Sequence, residues 1–371
     1  MLQIRGVRPL VVVAGVAASL LIAGCGIDAP SSPQVTDSGD VRAAPALSDV
    51  EAAADPRAWD GPSSARLSQS EVRPIADDVA PALPVTVTDS QGTEVTVTDT
   101  SRILALDVYG TLARTVFELG LGDSVVGRDI STQFAEAKQL PLVTPTGHDL
   151  SAEAILELDP TVIITDTTLG PWDVVLQMRD SGIPVVVVDS HRGIDNVAAL
   201  TEQVAGALGV PGEGKALAQR AEQEIDAVEA EIAKVAPADE GRRLRMVFLY
   251  VRGQSGVYYM FGEGSGADDL IDAIGGYDVA EEIGWSGMKP VTDEGIVAAQ
   301  PDLVLMMTKG LDSAGGVDGL LERLPALAST PAGEHRRFVD MEDSEILGFG
   351  PLTAAVLNAL AVAVYAPDAV S

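Results

Sequence analysis

The sequence predicts an α/β protein in which two similar lobes are joined by a single long helix. Three observations support this fold class: short Val and Ile runs alternate with helical segments, a helix–proline–strand pattern occurs twice, and a long charged helix separates its two copies. Of the 371 residues, 46% are hydrophobic, so the chain can form two domain cores. A net charge of −31 disfavours binding to nucleic acid.

The first 24 residues have the pattern of a secretory leader. Arg5 and Arg8 supply positive charge before an apolar run over residues 10–23, which is too short to span a bilayer. Small residues end this run just before Cys25, the only cysteine in the sequence. The arrangement resembles a bacterial lipobox, which implies a signal peptide over 1–24 and a lipid on Cys25. We therefore expect an extracytoplasmic protein, anchored to the cell membrane by acyl chains alone.

Three further regions follow from composition and hydrophobic pattern. Residues 25–83 are predicted to form a flexible acidic tether, because they are rich in Ala, Pro, Ser and Asp and show no sustained period. The first lobe is expected over 84–211, where a β-hairpin precedes alternating strands and helices. Its strands are continuous Val and Ile runs, which are typical of parallel sheets covered on both faces.

A charged helix at 212–236 is predicted to connect the lobes. Its length of roughly 35 Å, at about 1.5 Å per residue, is enough to cross a domain. The second lobe, over 237–371, resumes the strand–helix alternation. Residues 291–305 there repeat residues 150–164 of the first lobe: each copy has a capping Ser or Thr, a Glu two residues later, a short helix, a proline and an apolar strand.

Two local motifs contain candidate ligands. Residues 144–151 (TPTGHDLS) place His148 in a loop before the repeated helix of the first lobe. Residues 248–253 (FLYVRG) place Tyr250 and Arg252 at the end of the first strand of the second lobe. Since residues two apart on a strand point to the same side, the Arg252 guanidinium is expected beside the Tyr250 oxygen, where it would lower the pKa of the phenol. The alternative is a tyrosine at the cleft rim, a surface arginine and an exposed histidine.

These features resemble the substrate-binding lipoproteins of ABC importers for haem, ferric siderophores and cobalamin, over residues 84–367. The lipobox, the repeated element, the linking helix and residues 348–351 (GFGP) carry the resemblance. The chain looks most like the haem-binding branch, whose axial iron ligands correspond to His148 and Tyr250, with Arg252 supporting the tyrosine. The resemblance implies haem as the transported ligand; a ferric-siderophore or cobalamin carrier is the alternative.

Catalysis is disfavoured by the scarcity of reactive side chains. The sequence has three His and one Cys, and the run GQSGV at 253–257 has Val where a Gly-x-Ser-x-Gly elbow needs glycine. We therefore predict a binding protein rather than an enzyme.

A haem pocket needs apolar walls and a few cations for the two propionates. Candidate wall residues are Tyr258, Trp285, Met288, Met306 and Met307. Candidate propionate partners are Arg128, Arg192 and Lys289. Of the other histidines, His191 is expected at the rim of the cleft and His335 on the surface.

The resemblance also implies protein partners. Glutamates that dock family members onto the permease correspond to Glu153 and Glu294, one on each lobe. The alternative is that both residues simply favour the first turn of their helices. The expected partners are an ABC importer permease with its ATPase, and cell-surface haem-binding proteins as donors.

Overall fold

Two α/β lobes and one connecting helix account for residues 84–370, which confirms the predicted fold class. The structure, a computed structural model, describes residues 42–370. The predicted leader, Cys25 and the first part of the tether lie outside the described residues. Every helix within 42–370 is too short or too polar to cross a bilayer.

The stretch 42–83, predicted to be a flexible tether, is packed against both lobes. Leu47 and Ala65 are at most 4% exposed, and strand β1 (Ser63–Ala65) pairs in parallel with residues 339–341 of the second lobe. The tether prediction is therefore wrong here. A few small and apolar residues between prolines show no hydrophobic period, yet they are enough to fill sites on an existing core.

The same stretch then crosses onto the first lobe. The Arg114 guanidinium donates hydrogen bonds to the backbone carbonyls of Ser70 and Glu71. The backbone N–H of Ala82 donates to the carbonyl of Gly209 over 2.8 Å. Residues 42–83 thus form a strap across the two lobes.

A three-stranded parallel sheet, in the order β4–β5–β6, forms the centre of the first lobe. The elements are β2 (Val85–Thr88), β3 (Glu94–Val97), β4 (Ile103–Leu106), α1 (Thr111–Val116), α2 (Ala152–Glu157), β5 (Val162–Thr165), α3 (Trp172–Asp180), β6 (Val185–Val187) and α4 (Val197–Ala207). Helices α1 and α4 pack on one face of the sheet and α2 and α3 on the other. Both faces are therefore buried, as the continuous apolar strands predict.

Helix α5 (Pro211–Val235) connects the lobes, where the sequence predicts a helix at 212–236. Leu217 belongs to the core of the first lobe, whereas Ile225 and Ile232 belong to the core of the second. Because one helix packs into both cores, it limits the relative motion of the lobes.

The second lobe is built on a seven-stranded sheet in the order β1–β12–β11–β7–β8–β10, with β9 beside β7. Its elements are β7 (Arg245–Arg252), β8 (Val257–Phe261), α6 (Ala267–Ala273), β9 (Tyr277–Asp278), α7 (Val279–Glu282), β10 (Met288–Pro290), α8 (Asp293–Ala299), β11 (Leu303–Met307), α9 (Thr308–Ala314), α10 (Gly316–Arg323), α11 (Pro325–Ala328), α12 (Pro331–Glu334), β12 (Phe338–Met341) and α13 (Thr353–Tyr365). Helices α5, α6 and α13 cover one face, and α8 and α10 cover the other.

The predicted repeat has the same local geometry in both lobes. Ser151 accepts a hydrogen bond from the N–H of Ala154 at the start of α2, and Thr292 accepts the equivalent bond from Gly295 at the start of α8. Each unit ends in a left-handed residue before proline, Asp159 at φ 45° and Gln300 at φ 42°. The caps and stops are local, so the sequence pattern locates them correctly.

Candidate functional site

Tyr250 lies near the carboxyl end of β7, on an aromatic face of the second-lobe sheet. In the antiparallel β7–β8 pair it stands opposite Tyr259, while Phe248 stands opposite Phe261. The Tyr250 ring centroid lies 6.5 Å from that of Tyr259 and 6.2 Å from that of Phe261, on which it stacks. These rings form an apolar aromatic floor beside Tyr250, in which the Tyr250 ring is nearly parallel to Phe261 and inclined by 66° to Tyr259.

Two of the predicted wall residues extend this floor. Met288 on β10 lies opposite Phe261 and is 55% exposed, although it is large and apolar. Met307 is half-buried and follows Met306, which pairs with Leu249. Alternation along the strand therefore places Met307 on the Tyr250 face.

The other three predicted wall residues are wrong, because they lie in the core on the opposite face. Tyr258 stands opposite Val251 and packs with the second core cluster of this lobe. Met306 is fully buried in the same cluster. Trp285 packs there too, and its indole N–H donates to the carbonyl of Met260 over 2.9 Å. A strand side chain changes face with every residue, so Tyr259, not Tyr258, accompanies Tyr250.

Arg252 is held above the Tyr250 ring by an acidic residue that the sequence analysis missed. Its guanidinium carbon lies 4.5 Å from the centroid of the Tyr250 ring. Its Nη2 lies 3.3 Å from Oδ2 of Asp343, whose Oδ1 accepts a bond from the Lys309 N–H. Asp343 is 91 residues away in sequence, and no local pattern connects it to Arg252.

His148 lies on the first lobe, in the loop before α2, and is exposed. Among the residues that the structure describes, none makes a hydrogen bond or ion pair with its imidazole. Partial burial and the positive charge of Arg252 lower the pKa of His148, and Asp149 opposes them. Arg252 on the second lobe is thus close enough to His148 on the first lobe for its charge to act on the imidazole, and both causes favour the neutral form of His148.

The predicted propionate partners are engaged elsewhere. Arg192 is 4% exposed and forms ion pairs with Asp107 at 3.1 Å and Asp166 at 2.7 Å, so it belongs to the first-lobe interior. Arg128 donates to the carbonyl of Asp129, next to it in the chain. Lys289 stands opposite the buried Met260, on the face away from Tyr250, and lies over the Trp285 ring at 5.9 Å. The prediction is wrong for Arg192 and Lys289. The Arg128 guanidinium is hydrogen-bonded to backbone carbonyls of the loop that follows it.

Known proteins of the same architecture match most of the chain. The family model of periplasmic binding proteins matches residues 108–345. The solved structure of the haem-binding protein HmuT is 39% identical, covers 84% of this chain and 99% of its own, and has a TM-score of 0.79. The chain belongs to the periplasmic binding protein family. No curated protein sequence matches it.

Other similar structures of the family are also of haem-binding proteins. RhuT from Roseiflexus sp. RS-1 is 37% identical, covering 74% of this chain and all of its own, at a TM-score of 0.66. BhuT, solved with two haems, is 30% identical. It covers 73% of this chain and 99% of its own, at a TM-score of 0.64. HmuT has also been solved with an arginine, a tyrosine or a histidine replaced by alanine, at 38% identity to this chain. The replaced arginine follows the replaced tyrosine by two positions, the spacing of Tyr250 and Arg252.

A cavity of about 440 Å³ lies between the lobes of this periplasmic binding protein. Tyr109, Thr111 and Arg114 line it from the first lobe, and Lys309 and Glu345 from the second. It borders the Tyr250 region, since its lining includes both neighbours of the aspartate that holds Arg252. Burial raises the pKa of Glu345 to about 7, with a further rise from Glu342. The buried Oε2 of Glu345 has no hydrogen-bond partner in the described part of the chain.

The two candidate docking glutamates occupy equivalent places on the binding protein. Glu153 in the first turn of α2 and Glu294 in the first turn of α8 are both exposed. Three residues after each stands an exposed apolar side chain: Leu156 is 40% exposed and Val297 is 53% exposed. Residues three apart on a helix are neighbours, so each lobe presents a carboxylate beside an apolar group.

Proposed function

We propose that this periplasmic binding protein captures haem between its lobes, with the iron coordinated by Tyr250 from the second lobe and His148 from the first. The observation that carries the proposal is the aromatic floor around Tyr250, with Arg252 fixed above the ring and its charge acting on His148. The haem-binding relatives, at 30–39% identity, support the same ligand.

The chemistry of the two ligands suits ferric haem. Ferric iron favours an anionic oxygen, and tyrosinate is an established axial ligand of haem. The Arg252 charge lies over the ring, where it stabilises the negative charge of a coordinated phenolate. A neutral imidazole completes the coordination from the other side.

A cation near this floor is available for a propionate. Lys309, at the start of α9, is exposed and makes no ion pair within residues 42–370. It lies beside the carboxylate that holds Arg252 and lines the cavity between the lobes. We assign it the role that the sequence analysis gave to Arg192.

Delivery to an ABC importer completes the proposal. Cys25 would carry the lipid anchor outside the cell membrane, and Glu153 and Glu294 would contact basic residues of the permease. Two carboxylates on separate lobes fix both the orientation and the sign of such a contact. The exposed Leu156 and Val297 add apolar area to each contact.

Docking is tested by charge reversal on each lobe. Binding of the full-length protein to permease in nanodiscs should be weakened by Glu153→Lys and by Glu294→Lys, and most by the double variant. Glu222→Lys, an exposed position on α5, is the matched control and should bind normally. Equal binding by all these variants would exclude the proposed docking surface.

Haem capture is tested by absorption spectroscopy. Added hemin should give a Soret band distinct from that of free hemin, and the band should survive desalting. Cobalamin and a ferric siderophore should not compete with hemin. A protein that stays colourless with hemin, or that retains cobalamin instead, would favour the alternative carrier function.

A further inference from the structure

A second cluster of metal-ligating side chains, none of which belongs to the proposed haem site, lies where the two lobes meet. His191 and Asp195 lie in the first lobe after β6, and Asp269 lies in the first turn of α6 in the second lobe. Nε2 of His191 is 3.2 Å from Oδ1 of Asp195. One ligand atom from each of the three residues lies within 4.8 Å of the other two.

The three ligand atoms converge on one point above Gly193. A Cβ added at this glycine would lie 2.1 Å from Oδ2 of Asp269, 2.9 Å from Oδ1 of Asp195 and 3.1 Å from Nε2 of His191. Any side chain at position 193 would occupy the centre of the cluster. Glycine keeps this space open, so the atoms can approach a small common partner.

The loop that carries the histidine is fixed by buried and local bonds. Arg192, with its ion pairs inside the first lobe, donates to the carbonyls of Asp189 and His191. Asn196 donates to the same His191 carbonyl over 2.9 Å. A loop held in this way presents its ligands with little loss of conformational entropy on binding.

The donor set selects the class of ligand. One imidazole nitrogen and two carboxylates meet here, and Asp268 stands next to Asp269 in the chain, so the cluster carries an excess of negative charge. A divalent cation would relieve this repulsion. Imidazole with carboxylate suits Zn²⁺ and its transition-metal neighbours, whereas Ca²⁺ and Mg²⁺ prefer oxygen ligands only.

We propose that His191, Asp195 and Asp269 bind one divalent transition-metal ion of the Zn²⁺ class, with water completing the coordination. Because Asp269 belongs to the second lobe, the bound ion fastens the lobes together at this edge of the cleft. This site is independent of the proposed haem function and can be tested on hemin-free protein.

The test is Zn²⁺ titration of chelator-treated, hemin-free protein by calorimetry. We expect one site in the wild type, and at least about tenfold weaker binding in His191→Ala and in Asp269→Asn. His335→Ala is the matched control, because this exposed histidine pairs with a single carboxylate, that of Asp60 at 2.7 Å. His148→Ala is a second control, which tests whether Zn²⁺ binds instead at the proposed haem ligand. Both control variants should bind Zn²⁺ with wild-type affinity.

Thermal unfolding gives a second readout. Saturating Zn²⁺ should raise the Tm of the wild type and of His335→Ala, but not that of His191→Ala. Unchanged Zn²⁺ affinity in both site variants would overturn the proposal. Normal affinity in Asp269→Asn together with lost affinity in His191→Ala would also overturn it, since the ion would then not bridge the lobes.

Discussion

Arg252 acts on two candidate ligands from opposite lobes. Its guanidinium lies over the Tyr250 ring. Partial burial of the imidazole and, after it, the charge of Arg252 lower the pKa of His148 from the ordinary value of 6.5. A neutral imidazole can coordinate iron, whereas a protonated one cannot. If Tyr250 and His148 are the iron ligands, the positive charge of Arg252, which Asp343 holds in place, favours the coordinating form of each.

The first prediction concerns the titration of His148. In Arg252→Ala the pKa of His148 should rise, because a positive charge that disfavours protonation is removed. NMR titration of the imidazole in hemin-free protein measures this directly. Correspondingly, hemin affinity of the wild type should fall on acidification, because protons compete for both His148 and the Tyr250 phenolate. His148→Ala should lose the part of this dependence that is due to the imidazole. An unchanged or lower pKa in Arg252→Ala would contradict the arrangement.

At the scale of elements, the sequence predicts what is local and misses what depends on pairing between distant segments. The caps of α2 and α8 were predictable because each is formed within four residues of chain. The choice between Tyr258 and Tyr259 was not, since it depends on the register of β8 against β7. Asp343 and the strap over 42–83 were missed because their partners lie far away in sequence.

The strap gives a prediction about stability. Leu47 is 4% exposed and belongs to the core of the second lobe, so Leu47→Ala should lower the free energy of unfolding by about 2–5 kcal/mol. Leu176 on α3 is 44% exposed and provides the matched control. Leu176→Ala should change the free energy of unfolding by less than about 0.5 kcal/mol. Chemical denaturation compares the two. Equal, negligible effects would mean that the strap is not packed.

At the scale of the whole molecule, both lobes and Ser70 of the strap line the cavity beside the candidate haem site. Glu345 lies in that cavity with a pKa raised to about 7 by burial. The pKa of Glu345 is thus higher in the folded protein than in the unfolded chain, where it is near 4.5. Its contribution to the free energy of unfolding is fully present below pH 4.5 and is lost as the pH rises through about 7. Ionisation of Glu345 therefore destabilises the folded protein at alkaline pH.

Glu345→Gln should remove this penalty. We expect a higher Tm than the wild type at pH 8, corresponding to up to roughly 3 kcal/mol, and no such gain at pH 5. Thermal unfolding at the two pH values makes the comparison. A gain of the same size at both would show that ionisation of Glu345 is not the cause.

The measurement that tests the central claim most directly is the hemin spectrum of a matched pair of variants. Tyr250→Phe removes only the phenol oxygen, and Tyr259→Phe makes the same change on the neighbouring ring of the same face. We predict that Tyr250→Phe shifts the Soret band and weakens hemin binding at least about tenfold, whereas Tyr259→Phe keeps the wild-type spectrum and affinity. Wild-type hemin binding by Tyr250→Phe would contradict the assignment of Tyr250 as the iron ligand.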